Sequence, residues 1–346
     1  METLHLDACS PQSREQAIDE AARLLKEGQL VIIPTETVYG LAANALDPAA
    51  VAGIFAAKGR PQDNPLIVHV NRMEQIPPLV KELPPAAEKL AAAYWPGPLT
   101  MILPKSEAVP KVTSGGLDTV AIRMPSQPVA RAIIARCGLP LAAPSANLSG
   151  SPSPTTALRC AQDMDGRVAA IVDGGPCQVG VESTVVSLVG PVPVVLRPGA
   201  ITPEMIAGVL GECQVDDSVL HQLKEGQTAA SPGMKYKHYA PKASVTILRG
   251  SSAAFCREVN RRGGEGVCAL CFEEDLPHLK VAAIPYGREG DDLSQARLLF
   301  EALRELDEKG AQVVYAREPH AAGVGLAVYN RLLRAAGFQV ETLPEE

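Results

Sequence analysis

Short apolar runs alternate with amphipathic stretches along most of the chain, and this alternation is typical of α/β proteins. The alternation forms one block from about residue 13 to 211 and a second block from 245 onward. The stretch between them lacks sustained apolar periodicity and is rich in Gly, Ser and Pro, which indicates a linker. We therefore predict a first domain over 1–212, a linker over 213–243 and a second domain over 244–346.

The two blocks predict different folds. In the first block, the candidate strands are 30–33, 66–70, 99–103, 119–124, 139–143, 168–172, 184–189 and 193–196. In the second block, the predicted order is strand 245–248, helix 251–261, strand 267–272, helix 293–309, strand 311–315, helix 325–336 and strand 338–342. The first pattern predicts an α/β domain with mixed strands and flanking helices. The second predicts a smaller, Rossmann-like three-layer α/β domain.

Charge and cysteine usage narrow the class of protein. With 346 residues, 46% of them hydrophobic, the chain is long enough to bury two cores, so we expect a soluble globular protein. The net charge of −7 argues against a broad basic face for nucleic acid, and any RNA contact would need a local patch. No signal peptide and no apolar run of membrane-spanning length is found, so we expect no membrane contact.

The eight cysteines are scattered and no secretory signal precedes them, which suits a reducing cytoplasm. Cys268 and Cys271 form the one C-x-x-C pair, but "GVCALCF" is typical of a buried strand rather than of a metal or redox site. Neither a G-x-x-x-x-G-K-[ST] phosphate loop nor a strand followed by G-x-G-x-x-G is present. A nucleotide, if bound, must be held in another way.

Polar residues follow a buried-looking strand in "LVIIPTETVYGL". Thr35 comes just past the point where Pro34 stops that strand. Because α/β sheets bind ligands outside the carboxyl ends of their strands, a hydroxyl here is a candidate ligand contact. A helix N-cap is the alternative, since Thr often begins helices.

The stretch "AAKGRPQDNPLIVHV" places Lys58, Arg60 and Asn64 immediately before a strand that contains His69. Strand alternation puts His69 and Ile67 on the same face. A lone His in such a strand is usually a satisfied core residue. Two cations and an amide on the same connection favour a counter-charge at the site instead, such as a phosphate or carboxylate ligand.

Two later segments repeat this pattern. In "TVAIRMP", Arg123 shares a face with Thr119, and its planar fork suits a carboxylate or phosphate. A structural ion pair is the alternative for Arg123. The loop "PLAAPSANLSGSPSPTTA" follows another strand and supplies Ser145, Asn147 and Ser153 as donors, although such loops are often plain turns. The segments "GVESTVV" and "VLRPGAIT" add Glu182, Ser183, Thr184 and Arg197.

Seven ordered segments carry a family resemblance: "PTETVYGL", "KGRPQDNPLIVHV", "YWPGPLT", "VAIRMP", "PLAAPSANLSG", "GVESTVV" and "VLRPG". Together they resemble the threonylcarbamoyl-AMP synthases with a YrdC-like domain, and "SPGMKYKHYAPKA" with the following residues resembles the long, two-domain form. The resemblance implies a YrdC-like twisted mixed sheet. It also implies that L-threonine, bicarbonate or CO₂, and ATP give threonylcarbamoyl-AMP and pyrophosphate, and that a partner transferase then modifies the adenosine beside the anticodon of certain tRNAs.

The resemblance also implies roles for particular residues. Those expected to hold threonine are Thr35, His69, Arg123, the backbone at Ala143, and Ser183. Those expected to hold ATP are Lys58, Arg60, Asn64, Thr119, Ser145, Asn147, Ser153, Arg197 and Tyr236. Lys58 and Arg60 are the expected catalytic residues. Mg²⁺ is expected to be carried by the ATP phosphates, and no metal ligand is expected from the chain itself.

Two other functions stay open. The carbamoyltransferases that mature hydrogenases contain a similar module, but this chain lacks their paired C-x-x-C motifs and their length. A non-catalytic RNA-binding module is the other alternative; the acidic net charge and the hydroxyls clustered with cations favour a small-molecule site over it.

The predicted linker carries Lys235, Tyr236, Lys237, His238 and Tyr239 in a row. Such a run suits anions and stacking on a base better than a plain tether would. We hypothesise that the linker lies over the mouth of the first domain's cleft as a lid that keeps water from the adenylate. An exposed, mobile tether is the alternative.

Overall fold

A computed structural model describes residues 2–62, 64–222 and 238–344. Its helices are α1 (Pro11–Lys26), α2 (Pro48–Lys58), α3 (Pro85–Tyr94), α4 (Pro128–Cys137), α5 (Ala157–Met164), α6 (Pro203–Leu210), α7 (Ser252–Arg262), α8 (Asp292–Glu308) and α9 (Gly325–Ala335). Its strands are β1 (Leu4–Asp7), β2 (Val31–Ile33), β3 (Gly40–Asn44), β4 (Ile67–His69), β5 (Leu99–Pro104), β6 (Thr119–Arg123), β7 (Leu141–Ala142), β8 (Ala170–Asp173), β9 (Thr184–Ser187), β10 (Val194–Arg197), β11 (Gln214–Val215), β12 (Ser244–Arg249), β13 (Val267–Cys271), β14 (Ala282–Pro285), β15 (Val313–Arg317) and β16 (Val340–Thr342).

The first sheet has the strand order β1-β8-β2-β3-β7-β4-β6-β5-β9-β10-β11. Its pairings are mixed: β4 runs parallel to β6, whereas β5 runs antiparallel to β6. Alternating side chains of β2 divide between two helical layers, because Val31 and Ile33 join the core under α1 and α4 while Ile32 joins the core under α2. The mixed α/β fold predicted for this part of the chain is confirmed.

One face of β4 and β6 carries no large core. Val68 and Ile122 point into the main core, whereas Ile67 and Ala121 belong to a small apolar cluster on the opposite face. His69 lies beside Arg123 in the parallel pairing of these strands, so both side chains share that second face. The alternation predicted for the two strands is therefore confirmed, and it leaves a polar pair on a sheet face that few apolar side chains cover.

The second sheet is parallel throughout, in the order β14-β13-β15-β12-β16. Helix α7 covers one face through Phe255, and α8 and α9 cover the other through residues such as Phe300 and Leu332. This three-layer arrangement confirms the predicted Rossmann-like architecture. Cys268 and Cys271 are both buried in β13 with free thiols, as the apolar pattern indicated.

The structure adds elements that the sequence pattern did not predict. These are β1, β3 and β14, and β11 lies inside the predicted linker, where it pairs with β10. Strand β15 begins two residues later than predicted and extends to Arg317. The division at 212 and 243 stays a prediction, with the first sheet reaching as far as Val215.

The second sheet, which is parallel, and its helices pack directly against the first part of the chain. Val38 and Val181 lie in the apolar core that also contains Phe300 of α8. Arg304 of α8 pairs with Asp163 of α5 at 2.8 Å between Nη2 and Oδ2. The interface is thus both apolar and ionic, and it lies next to the polar face of β4 and β6.

In the described part of the chain, every helix is too short or too polar to span a lipid bilayer.

Candidate active site

A cavity that opens to solvent lies on the polar face of β4 and β6, and its empty space is about 650 Å³ when the open solvent at its mouth is included. Nine of the predicted site residues line it: Thr35, Arg60, His69, Arg123, Ala143, Ser145, Asn147, Ser183 and Arg197. The structure therefore brings together side chains that are as far as 162 residues apart in the sequence. Its walls also include Thr37, Glu182, His238 and Tyr239.

Thr35 organises the loop that connects β2 to β3. Its hydroxyl donates to the carbonyl oxygen of Val38 at 2.6 Å and lies 2.9 Å from the hydroxyl of Thr37. Because a strand rather than a helix follows, the N-cap interpretation of Thr35 is wrong. The loop instead presents two buried hydroxyls to the cavity.

Arg123 ends β6 and bonds to this loop. Its Nη1 donates to the Thr37 hydroxyl at 2.8 Å, and its Nη2 lies 2.7 Å from Oε1 of the buried Glu36. Although burial raises the pKa of Glu36, the charge and hydrogen bonding of Arg123 hold that pKa below its usual value. Arg123 thus forms the structural ion pair considered as its alternative role, and it also lines the cavity. Among the described residues, neither its buried Nε nor its Nη2 has a hydrogen bond of good geometry, although Nη2 is in the ion pair with Glu36, so the guanidinium keeps donors for a ligand.

His69 lies beside Arg123 as an uncharged ring. Its Nδ1 is 3.2 Å from the carbonyl oxygen of Ile67. Burial, followed by the charge of Arg123, lowers the pKa of His69 to about 3. The imidazole is therefore neutral at physiological pH and contributes hydrogen bonding and shape rather than charge.

A second wall comes from the ends of β9 and β10. Arg197 donates through Nε to the Ser183 carbonyl at 3.1 Å and through Nη2 to the Ser183 hydroxyl at 3.3 Å. That hydroxyl also lies 2.8 Å from the hydroxyl of Thr100. Burial lowers the pKa of Arg197, although the group stays a strong cation suited to an anion.

Lys58 supports the serine-rich loop from behind. Its ammonium donates to the carbonyl oxygens of Ser145 and Asn147, and Lys58 itself is buried and absent from the cavity wall. Burial lowers the pKa of Lys58 well below its usual range, and the neighbouring charge of Arg60 lowers it further. The structure thus places Arg60, not Lys58, at the cavity surface.

Three other predicted residues lie outside the cavity wall. Asn64 is buried just before Pro65, and neither its amide nitrogen nor its oxygen has a hydrogen-bond partner in the described chain. Ser153 donates to Oε1 of Glu182 at 2.6 Å, behind the wall. Thr119 begins β6, opposite Pro104. Tyr236, also predicted to hold ATP, lies outside the described residues.

The end of the predicted linker reaches the cavity. His238 and Tyr239 line it, and the backbone nitrogen of Ala240 donates to the carbonyl of Gly150 at 3.0 Å. Tyr239 is buried and adopts a φ of 63°, a left-handed conformation that costs a non-glycine residue free energy. Burial and nearby arginines lower the pKa of His238 to about 3, so this ring too is neutral. The end of the predicted linker therefore lies at the cavity, and the lid hypothesis stays a prediction because residues 223–237 lie outside the described residues.

Two residues with clear roles here were not among the predicted contacts. Thr37 lies in the quoted "PTETVYGL" segment, two residues after Thr35, and that spacing could have indicated it. Arg331 of α9 is fully buried against Glu182, with Nε 2.8 Å from Oε2. It comes from the second domain, and an arginine in a helical pattern carries no signal for such a contact.

Within the described residues, no group of three or more His, Cys, Asp or Glu side chains is placed to hold a metal ion.

Two family models match the chain. The model described as "Telomere recombination" matches residues 23–199, and the model described as "Threonylcarbamoyl-AMP synthase, C-terminal domain" matches residues 201–337. Together they cover the regions that build both walls of the cavity and the helices behind it.

Full-length relatives agree with these matches. A threonylcarbamoyl-AMP synthase from Pyrococcus abyssi is 48% identical and the alignment covers 94% of this chain and 96% of the relative. One from Bacillus subtilis is 46% identical, with 95% of each chain covered. The crystal structure of P. abyssi Sua5 complexed with L-threonine superposes with a TM-score of 0.90 at 43% identity, covering 99% of this chain and all of the other.

Proposed function

Because the chain belongs to the threonylcarbamoyl-AMP synthase family, we propose that it makes L-threonylcarbamoyl-AMP and pyrophosphate from L-threonine, bicarbonate or CO₂, and ATP. One observation carries the proposal. A single cavity joins a wall of hydroxyls and Arg123 to a wall containing Arg60 and Arg197. Such a cavity suits an amino acid carboxylate and a triphosphate bound side by side.

The threonine end is assigned to the loop after β2 and to β4 and β6. In the proposal, the donors of Arg123 that are not bonded within the chain bind the threonine carboxylate, while Thr35 and the neutral His69 contact the rest of the amino acid. The backbone at Ala143 and the Ser183 hydroxyl complete this end. A neutral His69 suits this end because a positively charged ring would repel the ammonium group of threonine.

The nucleotide end is assigned to the serine-rich loop and to the two arginines that line the cavity near it. Arg60 and Arg197 would neutralise phosphate charge, and Ser145 and Asn147 would donate to the nucleotide. Lys58 contributes by holding the loop in place. Asn64, whose amide is buried without a partner in the described chain, would gain one from the phosphates. Mg²⁺ enters this scheme as part of the MgATP substrate.

The proposed chemistry needs little covalent help from the protein. The free amine of threonine captures CO₂ as an N-carboxylate, which attacks the α-phosphorus in line while pyrophosphate leaves. The chain orients two anions against each other and neutralises charge on the phosphoryl oxygens. A downstream threonylcarbamoyl transferase would then consume the adenylate and modify tRNA.

A substrate panel tests the proposal. The purified protein is incubated with ATP, Mg²⁺, bicarbonate and one amino acid at a time, and pyrophosphate is measured. We expect release with threonine and none with valine, which has the same shape without the hydroxyl. The RNA-module alternative expects the opposite: tight tRNA retention in filter binding at near-physiological salt, and no threonine-dependent pyrophosphate.

A further inference from the structure

Glu182 places a negative charge in the wall of a cavity that is otherwise cationic. Its side chain is only 8% exposed, and it lines the cavity with Arg60 and Arg197. Burial raises the pKa of Glu182, but the charges of Arg331 and Arg197 and the hydrogen bonds from Ser153 and Arg331 hold that pKa below its usual value. The carboxylate is therefore ionised, and an unpaired carboxylate here would repel phosphate.

The cation that compensates this charge comes from the second domain. Arg331 of α9 is 0% exposed and lies outside the cavity wall. Besides the Nε bond of 2.8 Å to Glu182, its Nη1 donates to the Pro198 carbonyl at 2.8 Å, and its Nη2 donates to the Glu182 carbonyl at 3.3 Å. One guanidinium thus fixes both the Glu182 carboxylate and the backbone that follows Arg197.

Arg331 also supports the end of the linker. Its guanidinium carbon lies 5.9 Å from the ring centre of Tyr239, within cation–π range. Phe300 of α8 also contacts that ring, with 5.1 Å between ring centres. The second domain therefore reaches three parts of the cavity wall through one buried side chain.

Other ion pairs across the same interface do not reach the cavity. Arg159 of α5 bonds to Glu301 and Glu308 of α8, and none of these three residues lines the cavity. Arg159 provides a comparison for Arg331, because replacing Arg159 removes ion pairs from the interface without leaving an unpaired charge in the cavity wall.

We infer that Arg331 is a positioning residue through which the second domain neutralises Glu182, so that the cavity accepts the ATP phosphates. The inference rests on the proposed function, since it presumes that ATP binds there. It gives the second domain a defined part in substrate binding: Arg331 supplies the ion pair in contact with Glu182, whereas the first domain contributes a hydrogen bond from Ser153 and the charge of Arg197 at longer range. Threonine should depend on Arg331 less, because its carboxylate is assigned to Arg123 on the other wall and only Ser183 is assigned to it on this one.

The experiment measures binding without chemistry. Calorimetric titration with Mg²⁺ and adenosine 5′-(α,β-methylene)triphosphate compares the parent chain with Arg331→Met, Arg331→Lys and the double variant Arg331→Met/Glu182→Gln. We expect Arg331→Met to weaken nucleotide binding by about tenfold or more, because it leaves a buried carboxylate unpaired beside the phosphates. Arg331→Lys should retain part of the affinity, and the double variant should return to within about threefold of the parent.

The double variant also keeps the test valid if Arg331→Met folds poorly, since removing both charges relieves the unpaired one. Arg159→Met is the matched control and should leave nucleotide binding within about twofold of the parent. Equal losses for Arg159→Met and Arg331→Met, an equal loss of threonine affinity in Arg331→Met, or no recovery in the double variant would each overturn the inference. A parent chain that binds no nucleotide would overturn the proposed function together with it, whereas a parent that binds and an unaffected Arg331→Met would overturn the inference alone.

Discussion

At the scale of single residues, two neighbouring side chains of the cavity differ in charge: Arg123 is a cation held by a carboxylate, and His69 is neutral. Arg123 is fixed by Glu36 and Thr37, which leaves its guanidinium immobile before any ligand arrives. Such preorganisation lowers the entropy cost of binding a carboxylate. His69 is its neighbour on the sheet and adds no second charge.

Replacing Arg123 tests its assignment to threonine. We expect Arg123→Lys to raise the KM for threonine much more than the KM for ATP, by about tenfold or more, because lysine keeps the charge but loses the planar fork. Steady-state pyrophosphate release at varied threonine and varied ATP measures both constants. Equal increases in the two constants would remove Arg123 from the threonine site.

The buried His69 predicts a dependence of stability on pH. Its pKa is about 3 in the folded chain, whereas an unfolded histidine titrates near 6.5, so between these values the unfolded chain binds the extra proton. The free energy of unfolding therefore falls as the pH falls through this window. Between about pH 7 and pH 4, we expect the free energy of unfolding of His69→Asn to fall by roughly 3 kcal/mol less than that of the parent.

Urea unfolding at a series of pH values measures this difference. His221→Asn, at an exposed histidine, serves as the control and should follow the parent curve. A His69→Asn curve that runs parallel to the parent would show that His69 is not held neutral.

At the scale of elements, one tight contact fixes helix α8 against the first domain. Gly180 has a φ of 85°, and a Cβ built there would lie 2.4 Å from Cα of Arg297 and 2.5 Å from the carbonyl oxygen of Ala296. Gly175, in the same loop, also has a φ of 85°, but its nearest neighbour is Sγ of Cys9 at 3.8 Å. The two glycines share a left-handed φ, which would strain any residue with a Cβ, and they differ in the space around them.

Comparing alanine substitutions at Gly180 and Gly175 separates the effect of a steric clash from the effect of the left-handed backbone conformation. We expect Gly180→Ala to reduce the free energy of unfolding by about 2 kcal/mol or more beyond Gly175→Ala, since the clash is with helix backbone that cannot move aside. Denaturant unfolding of both variants measures the difference. Similar losses in the two variants would mean that α8 can shift away from the loop.

The elements show how far the sequence predicts the fold. Strands β4 and β6 were predictable because β-branched residues alternate there between two faces. Strand β3, "GLAAN", was missed because Gly and Ala have low strand propensity, and only its place between β2 and β7 makes it a strand. β14, "AAIP", was missed for the same reason.

The site was predictable where its residues lie within short polar motifs and not where the fold joins distant segments. Arg60, His69 and Ser183 lie within recognisable motifs, and the structure gathers them in one cavity. Lys58 lies in such a motif too, yet its ammonium turns to loop carbonyls rather than to the cavity. The contact between Arg331 and Glu182 joins residues 149 positions apart, and it depends on domain packing that no local pattern encodes.

At the scale of the whole molecule, the second domain contributes to the cavity wall in two ways: Arg331 pairs with Glu182, and Phe300 packs near Tyr239. A chain cut after residue 222 removes both contributions but retains β11. We expect the cut chain to bind ATP weakly and to lose its adenylate faster to hydrolysis, because the cavity mouth is open to water.

Adding Glu182→Gln to the cut chain separates the two contributions. ATP affinity should recover in part, because the unpaired carboxylate of Glu182 is removed. The lifetime of the adenylate should stay short, because water still enters the open cavity. Circular dichroism and thermal melting confirm that each chain is folded, and chromatography of the quenched reaction follows the adenylate. An adenylate as long-lived in the cut chain as in the full chain would contradict the lid hypothesis.

The most direct measurement follows the carbon of bicarbonate into the product. The full chain is incubated with MgATP, L-threonine and carbon-13 bicarbonate, the reaction is quenched, and the nucleotides are analysed by mass spectrometry. We expect an AMP adduct that contains threonine and one labelled carbon, formed in equal amount with pyrophosphate and absent without threonine. Conversion of ATP to AMP or ADP with no labelled threonine-containing adduct, under conditions where the chain is folded and binds ATP, would contradict it.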